Sequence, residues 1–121
     1  MEVKAAKGQE ALEKMVSMDE GAAYLGECAL IGCDSPINET GLLFYSTLYD
    51  ENAACHMALG RGFFDCVKDF DKYTRDEMLK MGVNDSMIHV DFMIGNDTLS
   101  IDGITRDGEK VAIFRNGKWC F

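Results

Sequence analysis

The sequence contains one proline, one tryptophan and two histidines. It has no apolar run of 18 residues, which argues against a membrane-spanning helix. Its opening stretch, MEVKAAKGQEALEK, is polar with a helical pattern and lacks the apolar centre an export signal needs. Basic residues are scarce, 12 against 21 acidic ones, for a net charge of −9. Such a chain has no general basic face with which to displace counterions, so nucleic acid is not the expected partner. There is no CxxC pair, which removes a zinc-finger reading. Cys28, Cys33, Cys55, Cys66 and Cys120 are odd in number. Without an export signal they are expected to be reduced thiols in a cytoplasmic protein, small hydrophobes rather than nucleophiles. The glycines of GRGFFDC, residues 60–66, have no following Lys-Ser/Thr and make no phosphate loop.

What is present points to an α+β chain. Hydrophobic residues make up 47%, enough for a modest core in one domain or domain fragment of 121 residues. Leu12, Met15 and Val16 share one stripe of a first helix. Ser17 and Glu20 have capping-box spacing, which predicts a second short helix from about Asp19. GECALIG reads as a strand, and residues 34–41, with the lone Pro36, as a turn. LLFYSTLY, residues 42–49, is read as a helix leading to a buried strand, CHMALG. Thr74 and Glu77 form a capping box, Tyr73 and Met78 a hydrophobic staple, and Gly82 a C-terminal stop, so a helix is predicted over 75–81. SMIHVDFMI reads as a strand. Asp107-Gly108 and Asn116-Gly117 are hairpin turns that divide the tail into a meander, with Gly103 suggesting a bulge. The expectation is short N-terminal helices, a mixed sheet and a C-terminal β-meander.

Chemistry concentrates in few places. Side chains alternate along a strand, so His89 and Asp91 project from one face and Val90 and Phe92 from the other. An imidazole beside a carboxylate suits zinc, cobalt or manganese. A core histidine bonded to the aspartate, or a pair facing solvent, fits the same spacing. Glu27, within YLGECALIG, is a carboxylate among apolar residues, either turned to water or paired. His56, within ENAACHMALG, is a ligand or a satisfied buried histidine. Ser35, Ser46, Ser86 and Ser100 sit in no nucleophile motif, and the acidic groups at 50–51 and 69–71 read as solvated faces.

Taken in order, LGECALIG, DSPI, TGLLFYSTLYDENAACHMALG, GVNDSMIHVDFMIG, IDGIT and FRNGKWCF resemble the C-terminal part of the M29 metallo-aminopeptidases, the thermophilic metalloprotease (aminopeptidase T) type. The resemblance runs from about residue 8 to Phe121. It implies part of a larger catalytic domain that removes N-terminal amino acids from peptides with two divalent ions, zinc, cobalt or manganese. By resemblance Glu27 bridges both ions and His56, His89 and Asp91 are further ligands. A family tyrosine at the active site falls at Phe63, so its hydroxyl is lost. The family's N-terminal region and a further metal-binding glutamate precede the matched part, so a chain truncated at its N-terminus is expected, inactive or weak alone. The partners implied are a peptide substrate and either a second copy or the missing N-terminal region. A non-catalytic assembly module derived from such an enzyme is the other expectation.

Overall fold

The computed structural model describes residues 2–121. Four short helices and six strands follow in chain order: α1 (Gln9–Val16), β1 (Leu25–Ala29), α2 (Pro36–Glu39), α3 (Thr47–Asp50), β2 (His56–Gly60), α4 (Arg75–Lys80), β3 (His89–Met93), β4 (Ile101–Ile104), β5 (Lys110–Arg115) and β6 (Lys118–Trp119). Single 3₁₀ turns lie at Gly21–Ala23, Glu51–Ala53, Phe64–Cys66 and Phe70–Lys72. The strands form two sheets, ordered β1-β2-β3 and β4-β5-β6. This is the α+β class expected. Among the described residues no helix is long and apolar enough to cross a membrane.

The chain divides into two compact units, residues 1–28 with 57–91 and residues 29–56 with 92–121. The dividing points fall inside β1, β2 and β3. In the first unit Gly60 N–H donates to Tyr24 O at 2.8 Å and Arg61 N–H to Ile88 O at 2.7 Å. In the second, Ile94 N–H donates to Cys55 O at 3.0 Å, and the Cys55 thiol lies 3.3 Å from Ile31 O. Partner numbers fall on one strand as they rise on the next, so the first sheet is antiparallel, where a mixed sheet was expected. Gly60 turns at φ +93°, and a Cβ there would lie 2.2 Å from Ile88 O. A Cβ at Gly26 would lie 2.3 Å from Gly60 O. Only glycine permits this backbone approach.

The first unit buries Ala22, Ala58, Leu59 and Met78. Its clearest local order is α4. The Thr74 hydroxyl accepts from Glu77 N–H, while the Glu77 carboxylate accepts from Thr74 N–H at 2.8 Å. At the other end Gly82 N–H donates to Leu79 O and Val83 N–H to Met78 O, with Gly82 at φ +105°. These paired bonds are the Schellman closure predicted from Gly82. Ser17 and Glu20 form no capping box. Ser17 closes α1, its hydroxyl donating to Lys14 O, and Asp19 takes over the capping role by accepting from Ala22 N–H at 2.8 Å. An aspartate three residues before that N–H out-competes the serine, and only one 3₁₀ turn follows.

In the second unit the segment expected to be a helix over 42–49 is helical only from Thr47. The Asp50 carboxylate accepts from the N–H groups of Phe44 and Ser46, at 2.8 and 3.0 Å, and Tyr45 takes φ +55°. Those N–H groups are thus committed to a side chain rather than to a preceding helical turn. The supposed turn at Pro36 winds instead into one helical turn, capped by Ser35, whose hydroxyl accepts from Asn38 N–H. Proline suits the first helical position because its missing N–H has no helical partner there. The C-terminal meander is as expected: β4, β5 and β6 pair antiparallel, and Asn116 and Gly117 turn the last hairpin at φ +51° and +70°. The register irregularity lies between Ile101 and Asp102 rather than at Gly103. Fully buried Phe114 packs against Trp119, ring centroids 4.4 Å apart and planes tilted by 49°.

Candidate metal centre

Within the first unit, β1 carries Glu27 and β3 carries His89 and Asp91. The strand alternation read from HxD holds: His89 Nε2 lies 3.3 Å from Asp91 Oδ1. It also lies 3.1 Å from Glu27 Oε2. Glu27 and Asp91 offer ligand oxygens within 4.8 Å of each other. The three side chains are partly sheltered, Asp91 most of all at 9% exposure.

The other ring nitrogen sets the chemistry of His89. Its Nδ1 lies 2.6 Å from the Arg61 carbonyl oxygen. A carbonyl only accepts, so Nδ1 carries a proton and donates it. In the neutral ring Nε2 then holds a lone pair aimed at two carboxylates. Three electron-rich atoms facing one point repel each other unless a cation stands among them, either a proton on Nε2 or a metal ion. One proton serves only one of the two oxygens. Accordingly Asp91 Oδ1 is buried with no hydrogen-bond partner among the described residues. Its 3.3 Å contact with His89 Nε2 is close enough for Coulomb attraction to an imidazolium but not directed as a hydrogen bond. A tetrahedral ion with bonds of about 2.0–2.1 Å keeps its ligand atoms about 3.3 Å apart. The separations of 3.1 and 3.3 Å therefore fit a metal, as does a histidine whose second nitrogen is fixed by a carbonyl.

His56 belongs to the second unit, where it is the buried polar side chain, 1% exposed, at the start of β2. Its Nδ1 lies 3.1 Å from the Ala54 carbonyl oxygen. The same reasoning puts a proton on Nδ1. Both histidines of the chain thus have one ring nitrogen tied to a backbone carbonyl.

Phe63, where the resemblance puts a tyrosine, meets the His89 ring edge-on, with centroids 5.1 Å apart and planes at 62°. It is half-exposed, and its phenyl edge supplies packing but no hydrogen-bond donor. Two contributors escaped the sequence reading. The Arg61 carbonyl orients His89, and a backbone group has no signature in side-chain pattern. Asn84 donates through Nδ2 to Gly21 O and Gly60 O, at 2.8 and 2.6 Å, holding the end of β2. Its place in GVND was the available signal. The Ser86 hydroxyl donates to the Asp19 carboxylate at 2.9 Å.

Comparison with known proteins extends this geometry. The sequence is 48% identical over its whole length to aminopeptidase AmpS of Bacillus subtilis, covering 30% of that protein. It is 44% identical over 119 residues to aminopeptidase T of Thermus aquaticus, covering 98% of this chain and 29% of the relative. The structure of wild-type AmpT from Thermus thermophilus matches all of this chain and 29% of that one, with a TM-score of 0.81 and 41% identity. The chain therefore spans about 30% of the length of the relatives it matches. The thermophilic metalloprotease (M29) family matches residues 1–119. With that match spanning nearly every residue, the chain belongs to the thermophilic metalloprotease (M29) family.

Proposed function

We infer that this chain forms the metal-binding region of an aminopeptidase, which removes N-terminal amino acids from peptides by hydrolysis. The observation that carries this reading is the unmatched, buried Asp91 Oδ1 beside His89 Nε2 and Glu27. A buried carboxylate oxygen without a donor is costly unless a cation takes the donor's place. The relatives are named aminopeptidases, and the family is one of metalloproteases.

In this reading Glu27, His56, His89 and Asp91 would hold divalent ions, two per site. Glu27, His89 and Asp91 supply two carboxylates and an imidazole, a donor set that suits zinc, cobalt or manganese. Bound ions would supply an activated water and a polarised peptide carbonyl. The protein's own part is orientation. The Arg61 carbonyl holds the His89 ring so that Nε2 faces the carboxylates. Phe63 shields that ring on one edge but donates no hydrogen bond to a developing oxyanion. Turnover by the 121 residues alone is accordingly absent or weak. The five cysteines are free thiols, in keeping with a cytoplasmic setting.

A second role in assembly, with another copy or with the N-terminal region of such an enzyme, is supported by one stretch of the second unit. Leu42, Leu43 and Leu48 are each more than 60% exposed. Apolar side chains grouped this way are usually covered by a partner.

Calorimetric titration with zinc tests the metal reading. Binding is expected for the native chain and lost in His89→Ala/Asp91→Ala. Binding that survives the double substitution would sink it.

A further inference from the structure

Residues 83–88, which lead into β3, form no helix or strand. Side chains hold them instead. The Asp19 carboxylate accepts from Met87 N–H at 2.7 Å and from the Ser86 hydroxyl at 2.9 Å. The Ser86 oxygen in turn accepts from Ile88 N–H at 3.2 Å. Asp19 therefore grips three consecutive residues, directly or through Ser86, immediately before His89. It does so from a fixed base. The same carboxylate accepts from Ala22 N–H at 2.8 Å, and Ala22 is fully buried. A Cβ at Gly21 would lie 1.8 Å from Asp85 O, so this turn lies flush against the segment.

The far side of the segment meets Arg61. Arg61 N–H donates to Ile88 O at 2.7 Å, and His89 Nδ1–H donates to Arg61 O at 2.6 Å. The backbone of one residue thus engages the Ile88-His89 pair twice. Both bonds depend on residues 86–88 keeping their place. The ring torsion of histidine is broad, so a partner, not a rotamer preference, decides where Nε2 points.

We propose that Asp19 is a positioning residue for the candidate metal centre. By gripping residues 86–88 it keeps His89 Nδ1 on the Arg61 carbonyl and Nε2 toward Glu27 and Asp91. The effect on metal affinity rests on the metal reading, whereas the effect on the imidazole rests on the hydrogen bonds alone. Asp19 suits the task because bonds to an ionised carboxylate are about twice as strong as neutral ones, and three donors converge on it.

Asp19→Ala in the 121-residue chain tests this by two readouts. Calorimetric titration should show zinc binding weakened at least about tenfold, as for groups that orient a metal-binding histidine. In the metal-free chain labelled with ¹⁵N, the Nδ1–H resonance of His89 should be lost to solvent exchange. That of His56, tied to Ala54 O in the second unit, should persist and so controls for general loosening. Asp19→Asn keeps one acceptor oxygen and should fall between Asp19→Ala and the native chain. Native zinc affinity in Asp19→Ala, or a His89 resonance that persists there, would overturn the proposal. So would the joint loss of both histidine resonances. Should Asp19→Ala not fold, Ser86→Ala removes only the link to Ile88 and must show both changes to a lesser degree; neither change there would overturn the proposal. A native chain that takes up no zinc would refute the metal reading, and the His89 resonance would then decide the positioning role by itself.

Discussion

Replacing Asp91 by asparagine keeps its shape and removes its charge, which separates its two effects. As a ligand its loss should weaken zinc binding by more than about 100-fold, since substitutions just outside a ligand set already cost about 10–100-fold. As a buried acceptor without a donor it burdens the metal-free protein. Asp91→Asn should therefore unfold in urea, with chelator present, at no lower concentration than the native chain, gaining at most about 1–3 kcal/mol. A variant that binds zinc normally and is less stable would mean Asp91 is a structural residue. Phe63 is the contrasting case. The ring is half-exposed, so Phe63→Tyr should change stability by less than about 0.5 kcal/mol. Its hydroxyl should matter only for turnover, by about 10²–10³ in rate in a chain otherwise complete, measured as leucine anilide hydrolysis.

At the level of elements, α4 and the Asp19 turn are both held by carboxylates, so both answer to pH. Glu77 is held below its ordinary value of 4.5 by the Thr74 backbone N–H and then by the Thr74 hydroxyl. Asp19 lies below its ordinary 3.8, chiefly through the Met87 N–H, against a desolvation cost and with help from Ser86 and the N–H groups of Ala22 and Gly21. A lowered carboxylate pKa means stability that is full above the unfolded value and is lost as pH falls through the folded one. The stability gap between the native chain and Asp19→Asn should thus be constant near neutrality and shrink below about pH 4. Denaturant unfolding at a series of pH values measures it, and a gap that widens on acidification would contradict the assignment. Thr74→Ala should cost about 1 kcal/mol through the loss of the cap, read as a lower melting temperature.

For the whole molecule, zinc should act as a ligand of the folded state. At a free concentration about 100 times its Kd it should add about 2.7 kcal/mol, seen as a raised melting temperature. The rise should vanish in His89→Ala/Asp91→Ala. Zinc that leaves the melting temperature of the native chain unmoved would count against a folded site. Turnover is a separate property. The chain corresponds to about 30% of its relatives' length, and Phe63 lacks a hydroxyl. Leucine anilide hydrolysis by the 121 residues alone should be at background, and joining a relative's N-terminal region ahead of residue 1 should raise it. Chelator-sensitive turnover by the unextended chain would contradict this.

Much of this protein was determined by neighbours along the chain. The capping box of α4, the left-handed stop at Gly82, the Asn116-Gly117 hairpin and the shared face of His89 and Asp91 all depend on spacings of five residues or fewer. Covalent geometry and local hydrogen bonding settle such spacings before any packing occurs. Where two local signals competed, the sequence was ambiguous. Asp19 displaced Ser17 as a cap, and the Asp50 carboxylate captured the N–H groups of Phe44 and Ser46. Tertiary structure alone decided three things: that Glu27 meets His89 across a gap of 62 residues, that the Arg61 carbonyl directs the imidazole, and that Asp91 Oδ1 is left without a donor. The reason is that sheet pairing, not spacing, sets β1 and β3 on either side of β2, where the Glu27 and His89 side chains meet. A backbone carbonyl is the same in every residue until the fold aims it.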